Sequence, residues 1–152
     1  MDVLVVGALH HDVIVSAPRL PELDETLKGN SVAYALGGKG GNQALAAARH
    51  SANTGFAGRI GNDAAGQAML LELAAGNVDT SQIDTDSVLA SGMSVAIVTA
   101  NGDYGAVIVS AANDAIDANA IQLPQGLKWI ILQNEVLPEI IVRIYHFKIF
   151  TI

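Results

Sequence analysis

The chain has 152 residues, of which 51% are hydrophobic; this is enough for one compact domain with a buried core and argues against intrinsic disorder. With 8 Lys and Arg against 15 Asp and Glu, its formal charge of -7 argues against nucleic acid or an anionic membrane as a partner. The absence of cysteine excludes disulfides, thiolate catalysis and zinc-ribbon sites, and it fits a reducing compartment.

The N-terminus predicts the first strand of a parallel sheet. Residues 3–6 form a continuous apolar run that ends at Gly7, which is typical of a strand buried on both faces. The run is too short for a secretory signal, and no stretch approaches the ~20 apolar residues needed to cross a bilayer. We therefore expect a cytoplasmic protein without a membrane partner.

Two pairs of extended segments predict an antiparallel excursion from the main sheet. The first pair, 12–15 and 30–36, is separated by a turn-rich stretch that contains two prolines. The second pair, 94–100 and 106–110, flanks Asn101-Gly102, and an Asn-Gly step between β-rich runs is a hairpin signal.

The rest of the chain alternates between strand and helix patterns. An Ala-rich helix follows the glycine-rich segment at 37–43, and Asp63 is a candidate cap for a helix that runs to about residue 75 after a strand at 54–60. A short strand at 129–132 ends in polar residues, at the edge where open α/β sheets bind ligands. This alternation predicts a doubly wound, Rossmann-like parallel sheet.

The glycine-rich segment GGKGGNQ fits neither nucleotide fingerprint. Lys39 is followed by Gly40 rather than Ser or Thr, and Gln43 occupies the last position of a G-x-G-x-x-G counted from Gly38. Glycines allow close backbone approach, a helix N-terminus presents free N–H donors, and Asn42 both donates and accepts. The segment is thus either a site for a polyhydroxylated ligand or a tight strand-to-helix turn.

The sequence HHD at 10–12 invites a metal interpretation that strand geometry disfavours. In an extended segment His10 and Asp12 share one side and His11 faces the other, so the two histidines cannot easily share one metal. His10 and Asp12 could instead hydrogen-bond sugar hydroxyls, or they could be solvated loop residues. For GRIGNDAAG at 58–66 we expect a structural role.

The tail at 140–152 is rich in β-branched and aromatic residues, although the doubly wound fold requires a helix after the strand at 129–132. It is either a buried terminal strand or a truncated or frame-shifted end that leaves an aggregation-prone stub. We favour the second interpretation.

Several segments together resemble the N-terminal half of the ribokinase-like, PfkB-type carbohydrate kinases. These are Gly7 with Asp12, GGKGGNQALAAAR at 37–49, GRIGNDAAG at 58–66 and LQNE at 132–135, in order between residue 2 and about 139. The resemblance implies a doubly wound α/β domain, truncated at its C-terminus, with a small antiparallel β lid built from about 12–36 and 93–110. In such kinases the lid often also makes a homodimer contact.

The resemblance also implies a site. Its sugar ligands are Asp12, Gly38, Lys39 and Asn42, with Glu135 at a strand end near the sugar and the phosphate or metal. His10 stands where ribokinases usually carry Asn, which disfavours ribose itself as the substrate. ATP and Mg²⁺ are the implied cofactors, and a small-molecule sugar is the implied substrate.

Residues 1–152 contain no match to the second signature of this family, a D-T-x-G-A-G-D-like stretch that forms an anion hole and ends in the catalytic base. We therefore expect a partial domain that holds the sugar-binding half of an ATP-dependent sugar kinase, with no catalytic residue, no ATP site and no dedicated metal cage, and inactive alone. The alternatives are a non-catalytic sugar-binding or dimerisation module and a nucleoside kinase of the same superfamily.

Overall fold

The structure is a computed structural model that describes residues 1–146. Its strands are β1 (Val3–Val6), β2 (His10–Ala17), β3 (Ser31–Gly37), β4 (Thr54–Gly61), β5 (Val78–Asp86), β6 (Met93–Thr99), β7 (Tyr104–Val109) and β8 (Trp129–Leu132). Its helices are α1 (Lys39–Arg49), α2 (Ala64–Ala75) and α3 (Pro138–Ile144), with a 3-10 helix at Ala111–Ala115. The strands form two sheets of four strands each.

The first sheet is parallel throughout and has the order β5-β4-β1-β8. Its inner strand β1 is buried on both faces: Val3 and Val5 belong to a core with α1 and α2, and Leu4 and Val6 belong to a second core with α3 and the segment before β8. Helical layers on both faces make the sheet doubly wound, as the sequence predicted.

The second sheet, called the mixed sheet below, has the order β3-β2-β6-β7. The pairs β2–β3 and β6–β7 are antiparallel, as the sequence predicted for the excursion, while the inner pair β2–β6 is parallel. The inner pair is parallel because both strands run into the mixed sheet from their junctions with the parallel sheet, and each outer strand runs back.

Several local predictions are confirmed. Strands β1 and β8 have the predicted bounds, and the Asp63 side chain caps α2 by accepting a hydrogen bond from the Gly66 N–H at 2.8 Å. The turn between β6 and β7 closes through a hydrogen bond from Gly102 to the Thr99 carbonyl, with Gly102 at a φ of 90°. The strand β5 was not predicted, because Asp, Ser and Thr fill most of its positions.

The tail begins as a helix. Pro138 occupies the first turn of α3, where its fixed φ suits a helix, and Ile140 and Ile144 are buried one turn apart. A terminal strand over 140–144 is therefore wrong, because burial of one helix face outweighs the low helix propensity of Ile and Val. Residues 147–152, on which the rest of the tail prediction falls, lie outside the described residues.

Among residues 1–146, none of the helices has the length and apolar character needed to cross a membrane.

Candidate functional site

The glycine-rich segment brings the start of α1 into contact with the connection between β1 and β2. Gly38 has a φ of 81°, and a Cβ at this position would lie 2.5 Å from the Ala8 carbonyl oxygen. A Cβ on Gly40 would lie 2.9 Å from the same oxygen. Both positions require glycine, one for its backbone conformation and both for the close approach.

Glu135, just after β8, joins the end of that strand to the start of α1. Its carboxylate accepts a hydrogen bond from the Lys39 backbone N–H at 2.8 Å and forms an ion pair with the Lys39 ammonium. Burial alone would raise the pKa of Glu135, but the hydrogen bonds from Lys39 outweigh burial and lower it. The Gln133 side chain orients the segment by accepting the Glu135 N–H at 2.8 Å.

Asp12 reaches the same region from the mixed sheet. It pairs with Ala35 on β3 and with Ser94 on β6. A Cβ on Gly37 would lie 2.0 Å from Asp12 Oδ1, so the carboxylate occupies space that only glycine leaves open. Burial raises the pKa of Asp12, and the nearby His10 opposes that shift.

His10 lies beneath these groups and is only 3% exposed. Within residues 1–146 its Nε2 has no hydrogen-bond partner, although Glu135, Asp12 and Lys39 are near enough to influence its charge. Burial is the main cause of its lowered pKa, which favours the neutral ring. A buried polar atom without a partner indicates a place where a ligand or water can bind.

The remaining residues of the two motifs lie where strand and helix geometry require. His11 faces away from His10 and Asp12 and stacks on Tyr34 with ring centroids 5.6 Å apart. Asn42 is exposed in the first turn of α1, and its N–H donates to the Gly38 carbonyl at 3.1 Å. The structure thus brings Asp12 and His10 together with Gly38, Lys39 and Glu135, while Asn42 lies on the same end of α1.

Sequence reasoning missed the residue that holds the two sheets together at this point. Asn113 is fully buried; its Oδ1 accepts the Leu9 N–H at 2.9 Å and its Nδ2 donates to the Leu9 carbonyl at 2.8 Å. A Cβ on Gly92 would lie 2.1 Å from Asn113 Nδ2 and 3.0 Å from His10 Cδ2. The only signal was the position of Asn113 beside the return from the predicted lid.

No group of three or more His, Asp or Glu side chains in residues 1–146 is arranged to hold a metal ion. The cleft offers two carboxylates, Asp12 and Glu135, and Lys39 already engages the second. These residues alone do not fit a magnesium site, so we derive no chemical step through a metal or nucleotide.

Two known proteins match nearly the whole of this chain. The ribokinase of Bacillus subtilis (strain 168) is 34% identical over 142 residues, which are 91% of this chain and 48% of that protein. The deoxyribokinase of Salmonella typhi is 29% identical over 150 residues, which are 96% of this chain and 48% of that protein. The chain therefore spans about half the length of these relatives.

A solved structure of Arabidopsis thaliana ribokinase complexed with ribose and ATP superposes with a TM-score of 0.79 at 27% identity, covering 92% of this chain and 47% of that one. The profile described as "pfkB family carbohydrate kinase" matches residues 1–137. This match includes both sheets, α1 and the Glu135 segment, and the chain therefore belongs to the pfkB family of carbohydrate kinases.

Proposed function

We propose that this chain carries the sugar-binding half of an ATP-dependent carbohydrate kinase that phosphorylates a sugar hydroxyl. The observation that carries the proposal is the meeting of Asp12, His10 and the Lys39–Glu135 pair at the junction of two sheets. Three separate parts of the chain supply these groups, and His10 keeps an unpartnered nitrogen there. The Bacillus relative is a ribokinase, the Salmonella relative a deoxyribokinase and the Arabidopsis relative binds ribose and ATP.

The chemistry of these groups suits a polyhydroxylated ligand. The Asp12 carboxylate accepts hydrogen bonds from sugar hydroxyls, and the exposed Lys39 ammonium keeps donors beyond the one that it gives to Glu135. A neutral His10 ring has one donor and one acceptor nitrogen, so it can either donate a hydrogen bond to a sugar hydroxyl or accept one from it. We propose Gly38 and Asn42 as further contacts at the start of α1.

The mixed sheet is proposed as the lid over this site. Its face that carries Asp12 and Ser94 adjoins the start of α1, so closure would exclude water from the bound sugar. Exclusion of water matters because a phosphoryl group could otherwise transfer to water instead of the sugar.

Phosphoryl transfer itself is proposed to require residues outside this chain. ATP would donate the phosphoryl group and Mg²⁺ would neutralise its charge, and among residues 1–146 no group of three or more His, Asp or Glu side chains is arranged to hold the ion. We therefore expect the chain alone to bind sugar without phosphorylating it.

Calorimetric titration with pentoses, hexoses and nucleosides tests the proposal. Saturable binding of a sugar that is lost in Asp12→Ala and kept in Asp24→Ala, a variant of an exposed carboxylate in the β2–β3 connection, supports it. Absence of binding to the whole panel in a folded sample refutes it. ADP release in Mg-ATP with the bound sugar tests the expected inactivity, and sugar-dependent turnover would contradict that part.

A homodimer through the mixed sheet is a second proposal. On the face opposite Asp12, one row across the four strands consists of Tyr34, Val13, Val95 and Val107. Tyr34 is 64% and Val107 is 69% exposed, and a contiguous exposed apolar face of this kind is typical of interfaces. Analytical ultracentrifugation should show a dimer that Val107→Lys dissociates and Ala106→Lys, on the other face of β7, does not.

A further inference from the structure

The turn between β6 and β7 contains the one Asn-Gly step in the sequence. Asn101 and Gly102 lie at the tip of this hairpin, and both residues are exposed. Gly102 has a φ of 90°, and a Cβ added to it would meet no atom within 4 Å. The backbone nitrogen that follows Asn101 is therefore not screened by a side chain of its own residue, and the space beside it is open.

The Asn101 side chain is held at both of its polar atoms. The Thr99 hydroxyl donates to Asn101 Oδ1, and Asn101 Nδ2 donates to Asp103 Oδ2 at 2.7 Å. The same hydroxyl lies 3.1 Å from the Asp103 carbonyl oxygen, so two acceptors share its single proton. A donor at Oδ1 stabilises the negative charge that develops on this oxygen when a nucleophile adds to Asn101 Cγ.

We propose that Asn101 is a site of spontaneous covalent modification, at which the backbone nitrogen of Gly102 displaces the side-chain amide and closes a succinimide ring. The Gly102 N–H proton passes to hydroxide, and the nitrogen forms a bond to Asn101 Cγ. The Cγ–Nδ2 bond breaks, and Nδ2 takes a proton from water and leaves as ammonia. Water then opens the ring: cleavage at Cγ yields aspartate, cleavage at the backbone carbonyl carbon yields isoaspartate, and nothing is oxidised or reduced.

The folded hairpin controls the rate of this reaction. The Gly102 N–H donates to the Thr99 carbonyl at 3.0 Å, and the Thr99 N–H donates to the Asp103 carbonyl at 2.9 Å. The turn must release the first bond before the ring can close. An exposed turn at the end of a hairpin opens more readily than a buried element, so the reaction is slowed in the folded chain but not prevented.

The other asparagines are less suited to this reaction. Each of them precedes a residue with a side chain, which crowds the attacking nitrogen. Asn77 is exposed but precedes the β-branched Val78. Asn113 is fully buried, and both of its amide atoms bond to Leu9. Modification is therefore expected at Asn101 first.

The products change the edge of the mixed sheet. Aspartate adds a negative charge beside Asp103, and isoaspartate lengthens the main chain by a methylene, which disturbs the bond between Thr99 and Asp103. Asp12 pairs with Ser94, which lies well before the turn on β6, so the candidate sugar site keeps all of its groups. The proposal is therefore independent of the proposed function.

Peptide mass spectrometry of the wild-type chain, incubated folded at mildly alkaline pH, tests the proposal. The peptide with Asn101 should gain the mass that replacement of NH₂ by OH adds, with isoaspartate among the products. Its rate should exceed that of the Asn77 peptide at least about tenfold, because Val78 crowds the competing nitrogen. The rate should also rise with pH, because hydroxide removes the proton. An unchanged Asn101 peptide, or equal rates at the two sites, overturns the proposal.

A matched pair of glycine variants separates local chemistry from a loosened hairpin. Gly102→Ala places a Cβ beside the attacking nitrogen and should slow ammonia loss at least about tenfold, both in the folded chain and in urea. Gly105→Ala alters the same hairpin, where a Cβ would make only ordinary contacts with Leu20, and should leave the rate unchanged. A rate in Gly102→Ala equal to that of the wild type in urea, where no turn constrains either chain, overturns the proposal.

Discussion

The parallel sheet and the mixed sheet bury their apolar residues to different extents. In the parallel sheet, helical layers cover both faces and β1 is buried over its whole length. In the mixed sheet, one face carries Asp12 and adjoins α1, while the other exposes Tyr34, Val95 and Val107. The parallel sheet therefore forms the buried scaffold of the domain, whereas the mixed sheet has two accessible faces, one at the candidate site and one apolar.

The difference explains where the candidate site forms. A sheet covered on both faces has no surface free for a ligand except at its strand ends, which is where Gly7, Gln133 and Glu135 lie. A sheet with an open face can place a side chain such as Asp12 opposite those ends. The residues that join the sheets are therefore expected to control both stability and binding.

The largest expected loss of stability comes from removing the Asn113 side chain, which joins the two sheets through Leu9. Asn113→Ala leaves the buried N–H and carbonyl of Leu9 without partners, which should lower the free energy of unfolding by about 2–4 kcal/mol. Urea denaturation measures the change. The exposed Asn62 provides a control, and Asn62→Ala should change the free energy of unfolding by less than about 0.5 kcal/mol.

The second-largest expected loss of stability comes from the close approach of the start of α1 to the Ala8 carbonyl oxygen. Gly38→Ala combines a left-handed backbone with a contact of 2.5 Å to the Ala8 oxygen, and we expect a loss of about 2–3 kcal/mol in the free energy of unfolding. Gly102 has a φ of 90° and open space around it, so Gly102→Ala isolates the backbone cost of about 1–2 kcal/mol. Equal losses in the two variants would show that the approach to Ala8 is unimportant.

A smaller effect, on the pH dependence of stability, is expected from the buried His10. Because its folded-state pKa lies below the unfolded value, the unfolded chain takes up more protons, and stability should fall as the pH drops from about 7.5 to 5.5. His10→Asn should flatten this part of the pH profile of the free energy of unfolding. An unchanged slope in His10→Asn would show that His10 does not cause it.

The smallest expected effect on stability is at the Lys39–Glu135 pair. Lys39 is largely exposed, so Glu135→Gln should change the free energy of unfolding by less than about 1 kcal/mol. The same variant should weaken sugar binding about tenfold or more, as titration would measure. Glu25→Gln, which alters the exposed Arg19–Glu25 pair, should leave sugar binding unchanged.

The main elements were predictable because their signals are local. The bounds of β1 and β8, the Asp63 cap and the Asn101-Gly102 turn follow from apolar runs and turn chemistry. The strand β5 was not predictable in this way, since its polar sequence reflects its place at a sheet edge. The α3 helix depends on burial of Ile140 and Ile144, which propensity alone does not contain.

The candidate site was predictable only in part. The alternation of side chains along a strand placed His10 and Asp12 together and His11 apart, and the structure has the same arrangement. The contact between Lys39 and Glu135 spans 96 residues, so no local pattern predicts it, and the family resemblance implied only that both residues belong to one site. The Asn113–Leu9 contact spans 104 residues, and the position of Asn113 just after the predicted lid segment was the only signal of it.

The measurement that tests the central claim most directly is a sugar titration of the ¹⁵N-labelled chain followed by amide chemical shifts. The account predicts saturable shifts that concentrate at Asp12, Gly38, Lys39, Asn42 and Glu135, with a common dissociation constant. Saturable shifts confined to other surfaces, or none with any pentose, hexose or nucleoside in a folded sample, would contradict the claim that this chain holds the sugar-binding half of the kinase.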